Sequence, residues 1–419
     1  MASDGKLEVA VKREEGKRLK EALSALEAEC EAARVAAEGA ALSLPCDTHP
    51  AAPVGPEEAA VEVARVGTLP TFDFVPADHI TLGTRLGLFD LTAGPAIAGT
   101  GFMVFTGDGV LLQQALVSWA LSRAAAAGFT PVAPPDVAHT ALVEGCGFNP
   151  RDATDAGGGV AASSQVYSLC NSDLCLIGTS EISLAGLHAG AIMDAATLPA
   201  AYCAVSHCFR REAGAHGQRD KGLYRLHQFT KVELFAYVVP DAPLPPLPPT
   251  ALAPPVAIRL PATPPAASPA LPPPATLPAP ASEAMFERLV NLQVAMMAEL
   301  GLHFRVLDMP SEELGAAAYR KVDLEAWMPC RTGTGAFGEI TSASNCTDYQ
   351  ARRLGIRYRA KPGDNRFVHT LNATACAVPR IILALLETHQ RADGSVALPP
   401  ALVPFMGGRT HLTPPPRKA

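Results

Sequence analysis

Four short stretches of this 419-residue chain gather polar and charged side chains within otherwise apolar sequence. The first is Ile177-Gly178-Thr179-Ser180-Glu181. The second runs from Cys208-Phe209-Arg210-Arg211-Glu212 to Phe229-Thr230-Lys231-Val232-Glu233. The third is Gly338-Glu339-Ile340-Thr341-Ser342-Ala343-Ser344-Asn345. The fourth is His369-Thr370-Leu371-Asn372-Ala373-Thr374, leading to Arg380. Read as strands, residues two apart share a face. That sets Thr179 beside Glu181, Arg210 beside Glu212, and Phe229 beside Lys231 and Glu233. Such a face is costly to bury unless a polar ligand pairs with it. Guanidinium forks grip phosphate oxygens, carboxylates hold a divalent cation, and a phenylalanine ring stacks on a base. The set therefore suits a nucleoside triphosphate with a divalent metal. An internal salt-bridge network would explain any one stretch equally well; four together favour the ligand. No GxxxxGK[ST] or GxGxxG motif occurs, which argues against P-loop and Rossmann nucleotide sites.

The elements that must hold these residues are readable in outline. Residues 12–40 carry Leu19, Leu23, Leu26, Cys30, Ala33 and Ala37 at helical steps, a narrow seam of the coiled-coil kind that needs a partner helix. A link rich in Pro and Gly follows to about Gly67. Helices are expected at Leu111–Ala127, stopped by Gly128, at Ser282–Leu300 and at Pro379–Thr388. Strands are expected at Thr197–Arg211, Leu226–Val239, Phe304–Leu307, Leu324–Met328 and Gly338–Ser344. A hairpin is expected at Gln165–Ile177, and Ala156–Ser164 reads as a flexible loop. Strands with scattered helices, rather than regular βαβ units, indicate an α+β fold with an antiparallel sheet.

Composition adds limits. The net charge of −7, from 41 acids and 34 bases, disfavours a wholesale basic nucleic-acid binder and leaves room for a local basic RNA site. Residues 205–233 hold six bases against three acids, and residues 345–370 hold six against two. No apolar run has the length of a membrane span, and the first residues resemble neither a secretory nor a transit signal. The ten cysteines form no CxxC pair, so mostly buried, reduced thiols are expected rather than a zinc site. Seventeen prolines fall between Pro240 and Pro280. Residues 240–281 are thus expected to be an inert surface insertion that builds no core.

At the four polar stretches the chain resembles seryl-tRNA synthetases, a family of class II aminoacyl-tRNA synthetases. GTSE, FRREAG, GLYRLHQFTKVELF, LGAAAYRKVDLEAWMP, GEITSASNCTDYQARRLGIRYR and HTLNATACAVPRIILALLE resemble that family's diagnostic segments in order, across most of residues 70–409. GFTPVAPPDV, with Pro135, resembles the first class II motif, Phe209–Glu233 the second, and Ala377–Glu387 the third. The wording of HQFTKVE and EAWMP resembles the organellar and fungal-mitochondrial branch.

The resemblance implies a six- or seven-stranded antiparallel sheet flanked by helices, a homodimer built on the first motif, and a two-step reaction. Serine and ATP with Mg²⁺ give seryl-adenylate and pyrophosphate. The seryl group then passes to tRNA(Ser), or to tRNA(Sec) where that exists. No membrane or DNA partner is implied, and the compartment is cytoplasmic or organellar. By resemblance, Arg210 bridges the serine carboxylate and the α-phosphate, and Arg380 holds the γ-phosphate. Thr179 and Glu181 take the serine amino group; Glu233 and Thr374 read its hydroxyl. Arg211, Glu212, Phe229, Glu339, Ile340, Thr341 and Ser342 complete the ATP site, with Glu339 and Ser342 on Mg²⁺. Thr341 replaces a serine of the family pattern, and Lys221 stands where arginine is common.

The expected organisation is an N-terminal tRNA-binding arm with linker at 1–68 and a catalytic domain at 69–419. Only the second helix of the family's two-helix arm is recognisable, so a truncated chain or a reduced arm is expected. The competing reading is a synthetase-like paralogue that activates an amino acid without charging tRNA. Two changes test these readings: Glu233→Ala should cut serine-dependent activation by orders of magnitude with the fold intact, and deletion of Asp241–Pro280 should leave activation largely unchanged.

Overall fold

The structure is a computed structural model that describes residues 2–148, 166–212, 222–263 and 280–415. The expected loop Ala156–Ser164, Lys221 with the rest of 213–221, and residues 264–279 of the proline-rich stretch lie outside the described residues. Contacts divide the chain into Met1–Pro45 and Cys46–Ala419.

The first unit is one helix, α1 (Ala2–Leu42), longer than its seam predicts. Its apolar positions Leu19, Leu23 and Leu26 are 61%, 57% and 58% exposed. Arg34 pairs with Glu31 and Glu38 one turn away on either side, the i,i+3 and i,i+4 spacing that supports a solvated helix.

The second unit is built on an eight-stranded sheet. Its strands are β1 (Val61–Val66), β2 (Thr130–Val132), β3 (Ala200–Phe209), β4 (Gln228–Val238), β5 (Phe304–Asp308), β6 (Arg320–Met328), β7 (Ala336–Asn345) and β8 (His369–Ala377). The spatial order is β1-β5-β6-β7-β8-β4-β3-β2. Every neighbouring pair is antiparallel except β2 with β3. The fold is therefore α+β, as expected, with one strand more than the resemblance implies. The added edge strand β1 lies in the segment that reads as linker. The expected boundary at residue 68 thus falls just beyond a strand of the larger unit, whereas the contacts separate after Pro45. A bulge between Glu62 and Ala64 interrupts the alternation of VEVARV, and Pro56 and Pro70 flank it.

Five helices matter for the site: α2 (Asp108–Ala126), α3 (Ser180–Gly186), α4 (Pro280–Glu299), α5 (Tyr349–Leu354) and α6 (Val378–His389). Leu112, Leu116 and Trp119 of α2, Phe286 and Leu289 of α4, and Ile381 and Leu385 of α6 share one apolar cluster with the sheet residues Leu234, Val306, Leu324 and Leu371. Helix α2 ends as its sequence predicts. Gly128 takes φ +94°, Phe129 N donates to Ala124 O at 3.0 Å, and Gly128 N donates to Ala125 O at 3.0 Å. Both bonds belong to a Schellman stop that needs glycine at the left-handed position.

The proline-rich insertion differs from expectation. Ile258 is 2% exposed and lies in the main cluster, with Leu244, Ala251, Leu252 and Leu260 packed against it. Such a chain has no ladder of its own, so α4 supplies the partners its backbone needs. Ile258 N donates to Asn291 Oδ1 at 2.7 Å, and Asn291 Nδ2 donates to Ile258 O at 3.0 Å. Leu260 N donates to Glu287 Oε1 at 3.2 Å, and the buried Arg320 donates to Pro261 O at 3.0 Å. Residues 240–263 are therefore a strap over α4 that completes the core. The ten cysteines are all unpaired thiols.

Candidate active site

A cavity of about 310 Å³ opens over β4, β7 and β8. Its lining includes Thr179, Glu181, Arg210, Glu212, Phe229, Glu233, Glu339, Ile340, Thr341, Ser342, Thr374 and Arg380. Residues from every polar stretch thus converge on one volume. Arg211 does not: it is exposed and absent from the lining.

One end of the cavity is a buried polar cluster around Lys231, which is 5% exposed. Its ammonium forms an ion pair with Glu233 and donates to Thr179 Oγ1 at 2.8 Å and Thr374 Oγ1 at 3.4 Å. Thr374 Oγ1 in turn donates to Glu233 Oε2 at 3.1 Å. Glu233 and Thr374 face each other across β4 and β8 because the register shifts between Val232 and Glu233, leaving Ala375 as the extra residue of β8. Thr179 and Glu181 do point together, though not by strand alternation. Thr179 is the N-cap of α3 and accepts from Glu181 N at 3.2 Å, so the turn of a helix presents both.

Glu181 Oε1 accepts from Gln350 Nε2 of α5 at 2.6 Å and from Asn372 Nδ2 at 2.9 Å. Burial, and then the charge of Glu233, raise its carboxyl to about 7, against the opposing pull of Lys231, Gln350 and Arg210.

The other end is cationic and aromatic. Arg210, just past β3, lies 5.3 Å from the Phe229 ring centroid and donates to Gly178 O at 3.2 Å. Glu212 sits at φ +42° and pairs with Arg225 at 2.6 Å. Arg380, in the first turn of α6 after Pro379, pairs with Glu339 Oε2 at 2.9 Å. It also donates to Glu339 O and to Tyr224 O, each at 3.2 Å. The Arg380 and Arg331 guanidinium carbons lie 4.6 and 3.8 Å from the Tyr224 ring centroid. Gly338 makes room for this packing: a Cβ there would come within 3.2 Å of Met328, Tyr224 and Arg331. Burial would raise the Glu339 carboxyl, but Arg380 first, then Lys321 and Arg210, outweigh it and hold the group at about 2.

Glu339 and Ser342 are three residues apart, a spacing that puts strand residues on opposite faces. A second bulge resolves this. Leu324 pairs with Thr341 and Glu325 with Glu339, so Ile340 is extra and the faces exchange. Glu339 and Ser342 thus come to one face, and Ile340 and Thr341 between them line the cavity as buried residues. Asp323, opposite Ser342, is pushed up to about 7 by burial despite its ion pair with Lys321 at 3.1 Å.

Lys231 lies on the face that strand alternation predicts, with Phe229 and Glu233, although the resemblance implies no role for it. Its signal is the spacing Phe229-x-Lys231-x-Glu233 on one strand. Asn372 stood in the fourth polar stretch without a role. Gln350, Tyr224 and Lys321 carry no local pattern that marks them; only tertiary packing brings them in.

Residues 167–243 and 277–389 match the family model for the tRNA synthetase class II core domain (G, H, P, S and T). The serine–tRNA ligase of Treponema denticola is 43% identical over 395 residues, covering 94% of this chain and 82% of that protein. The mitochondrial serine–tRNA ligase of Mus musculus is 41% identical over 373 residues, 88% of this chain and 62% of that protein. Among solved structures, the seryl-tRNA synthetase of Pyrococcus horikoshii complexed with ATP superposes with a TM-score of 0.77 at 32% identity. It covers 93% of this chain and 80% of its own. A site assembled in order from class II segments, on a class II sheet and with these relatives, places the chain in the seryl-tRNA synthetase family.

Proposed function

We propose that the chain activates L-serine with ATP, releasing pyrophosphate, and transfers the seryl group to the 3′-terminal adenosine of tRNA(Ser). The observation that carries this reading is the joining, in one cavity, of a buried Lys231–Glu233–Thr374–Thr179 cluster to a Phe229–Arg210–Arg380 face. A small polar amino acid fits the first and a nucleotide the second.

In this reading the serine ammonium meets Glu181 and Thr179. The serine hydroxyl meets Glu233 and Thr374, displacing part of the contact they make with Lys231. A site whose buried groups need a hydroxyl partner rejects alanine strongly, because alanine leaves those groups unpaired. Adenine stacks on Phe229 and meets Glu212; Arg380 takes the γ-phosphate. Arg210 holds the serine carboxylate against the α-phosphate. A carboxylate oxygen attacks phosphorus, the bond to pyrophosphate breaks, and positive charge already in place offsets the charge that develops. Lys231, bonded to Thr179, Glu233 and Thr374, holds the groups at the serine end in place.

Glu339 and Ser342 are the proposed Mg²⁺ residues. An ionised carboxylate and a hydroxyl are hard oxygen donors, and Mg²⁺ characteristically takes one or two protein oxygens with phosphate oxygens and water. The Glu339 carboxyl, held near 2, is anionic at any working pH. Bound there, the cation would neutralise phosphate charge.

The segment Gly128–Val137, whose strand β2 closes one edge of the sheet, is the proposed homodimer contact. Helix α1, with Arg13, Lys17, Arg18 and Lys20 on it, is the proposed RNA-contacting element. The organellar placement rests on the wording HQFTKVE and EAWMP, beside the mitochondrial relative from mouse. No helix among the described residues is long and apolar enough to cross a membrane.

The test is serine-dependent ATP–pyrophosphate exchange followed by charging of a tRNA(Ser) transcript with labelled serine. Exchange without charging would favour the paralogue that does not charge tRNA. Arg210→Ala should abolish exchange; retained exchange would remove Arg210 from the α-phosphate.

A further inference from the structure

The two strands that bear opposite ends of the cavity part company inside the sheet, and a single buried side chain spans the gap. Strands β7 and β8 pair at Asn345↔Leu371, Ser344↔Asn372 and Ala343↔Ala373. The next residues, Ser342 and Thr374, fall outside the ladder. Each strand also carries its bulge here, β7 against β6 and β8 against β4. The divergence opens the sheet between the proposed phosphate end and the proposed serine end. Where the strands part, the Ser342 and Thr374 carbonyls take a side-chain donor, and a buried acceptor is expensive to leave unpaired.

Gln293 of α4, with 0% exposure, meets both carbonyls. Its Nε2 donates to Ser342 O at 2.8 Å and to Thr374 O at 2.9 Å. A primary amide has two hydrogens on one nitrogen, so each carbonyl receives one. The Oε1 atom of the same side chain is buried without a hydrogen-bond partner. A glutamine held only for packing could be replaced by an apolar residue and relieve that orphan. The two donations are the feature that only the amide supplies.

We infer that Gln293 is a positioning residue for serine activation, fixing the separation of Ser342 from Thr374 and thereby of the phosphate end from the hydroxyl-reading end. The inference rests on the serine–ATP reading of the cavity. Gln293 touches neither substrate; it acts through the two strands.

The experiment compares the full chain with Gln293→Met and Gln293→Glu. The first keeps length and removes both donors; the second keeps shape and, when ionised, offers only acceptors. ATP–pyrophosphate exchange is measured with serine and with alanine while ATP is varied. The ratio of kcat/KM for serine over alanine does not depend on the fraction of enzyme folded, so a variant that folds poorly still reports. The expected result is a fall in that ratio of about tenfold or more, with a KM for ATP raised about threefold or more. Lower exchange with both the ratio and the KM for ATP unchanged would overturn the inference, because a structural role alone lowers only the active fraction. A parent chain without serine-dependent exchange would overturn the ligase reading and this inference with it. A parent chain with exchange beside unchanged variants overturns the inference alone.

Discussion

Removing the Glu233 carboxylate should uncouple stability from activity in a way that tests the centre of the site. Glu233 is 2% exposed and its partner Lys231 5% exposed, so Glu233→Ala leaves an ammonium buried without its carboxylate. Breaking a buried pair from one side costs about 3–5 kcal/mol, whereas replacing both partners by apolar groups is close to neutral. The pair lines an open cavity, where desolvation is incomplete, which favours the lower end, about 3 kcal/mol. That is a large share of the ~5–15 kcal/mol that holds a domain folded. The expectation that Glu233→Ala leaves the fold intact is therefore replaced by a marked destabilisation. The double variant Glu233→Ala/Lys231→Met should recover about 2 kcal/mol of it. Serine-dependent exchange should nevertheless stay depressed by about a hundredfold or more in both, because the proposed hydroxyl reader is gone. Urea unfolding of the two single variants and the double gives the coupling energy, and exchange gives the activity. Additive unfolding energies, or a Glu233→Ala cost under about 1 kcal/mol, would refute the buried pair as described.

Further outcomes follow from particular groups. With its carboxyl raised to about 7, Glu181 is neutral below that pH in the free enzyme and pairs with an ammonium only above it. The kcat/KM for serine should therefore rise as pH increases through about 7, and Glu181→Gln should flatten the profile; a parent profile flat across that range would remove Glu181 from the ammonium. Because the folded form holds this proton more tightly than the ordinary 4.5 of an unfolded glutamate, stability from this group falls as pH rises from about 4.5 to about 7. Deleting Asp241–Pro280 should destabilise the protein, since the strap it removes is packed. Ile258→Ala alone should cost about 2–4 kcal/mol in thermal or urea unfolding, and a parent-like melting curve would show that the strap contributes nothing.

Much of the sheet was legible because its strands alternate and its helices carry ordinary stops. Strand β3 was expected at Thr197–Arg211 and spans Ala200–Phe209; α6 was expected at Pro379–Thr388 and spans Val378–His389. What alternation cannot report is a change of phase. Glu339 and Ser342 share the cavity only because Ile340 is extra, and Glu233 meets Thr374 only because Ala375 is. Family resemblance named these residues without giving the reason. Thr179 and Glu181 were paired correctly for the wrong reason, a strand where there is a helix cap. The proline-rich stretch was misjudged from composition because its backbone partners, Asn291 and Glu287, lie on a helix that follows it in sequence. The resemblance implies Arg211 in the ATP site, yet the end of a strand turns adjacent side chains apart, and of the two arginines only Arg210 lines the cavity.

The pairing of charges in the cavity explains why Arg210 should meet an incoming anion first. Lys231 is committed to Glu233, Arg380 to Glu339, Arg225 to Glu212 and Lys321 to Asp323. Among the described residues Arg210 forms no ion pair; it donates to the Gly178 carbonyl and lies by the Phe229 ring. Its charge is felt at both ends, lowering the carboxyl of Glu181 on one side and of Glu339 on the other. An anion that binds Arg210 breaks no existing pair, whereas one that binds Arg380 must share it with Glu339. A cation added beside Glu339 would offset that sharing by giving the carboxylate a new partner, freeing Arg380 to turn toward phosphate. The free arginine between the ends and the committed one at the far end thus have different tasks. In the proposed reaction the first would join carboxylate to α-phosphate, and the second would engage the γ-phosphate once a cation shares Glu339.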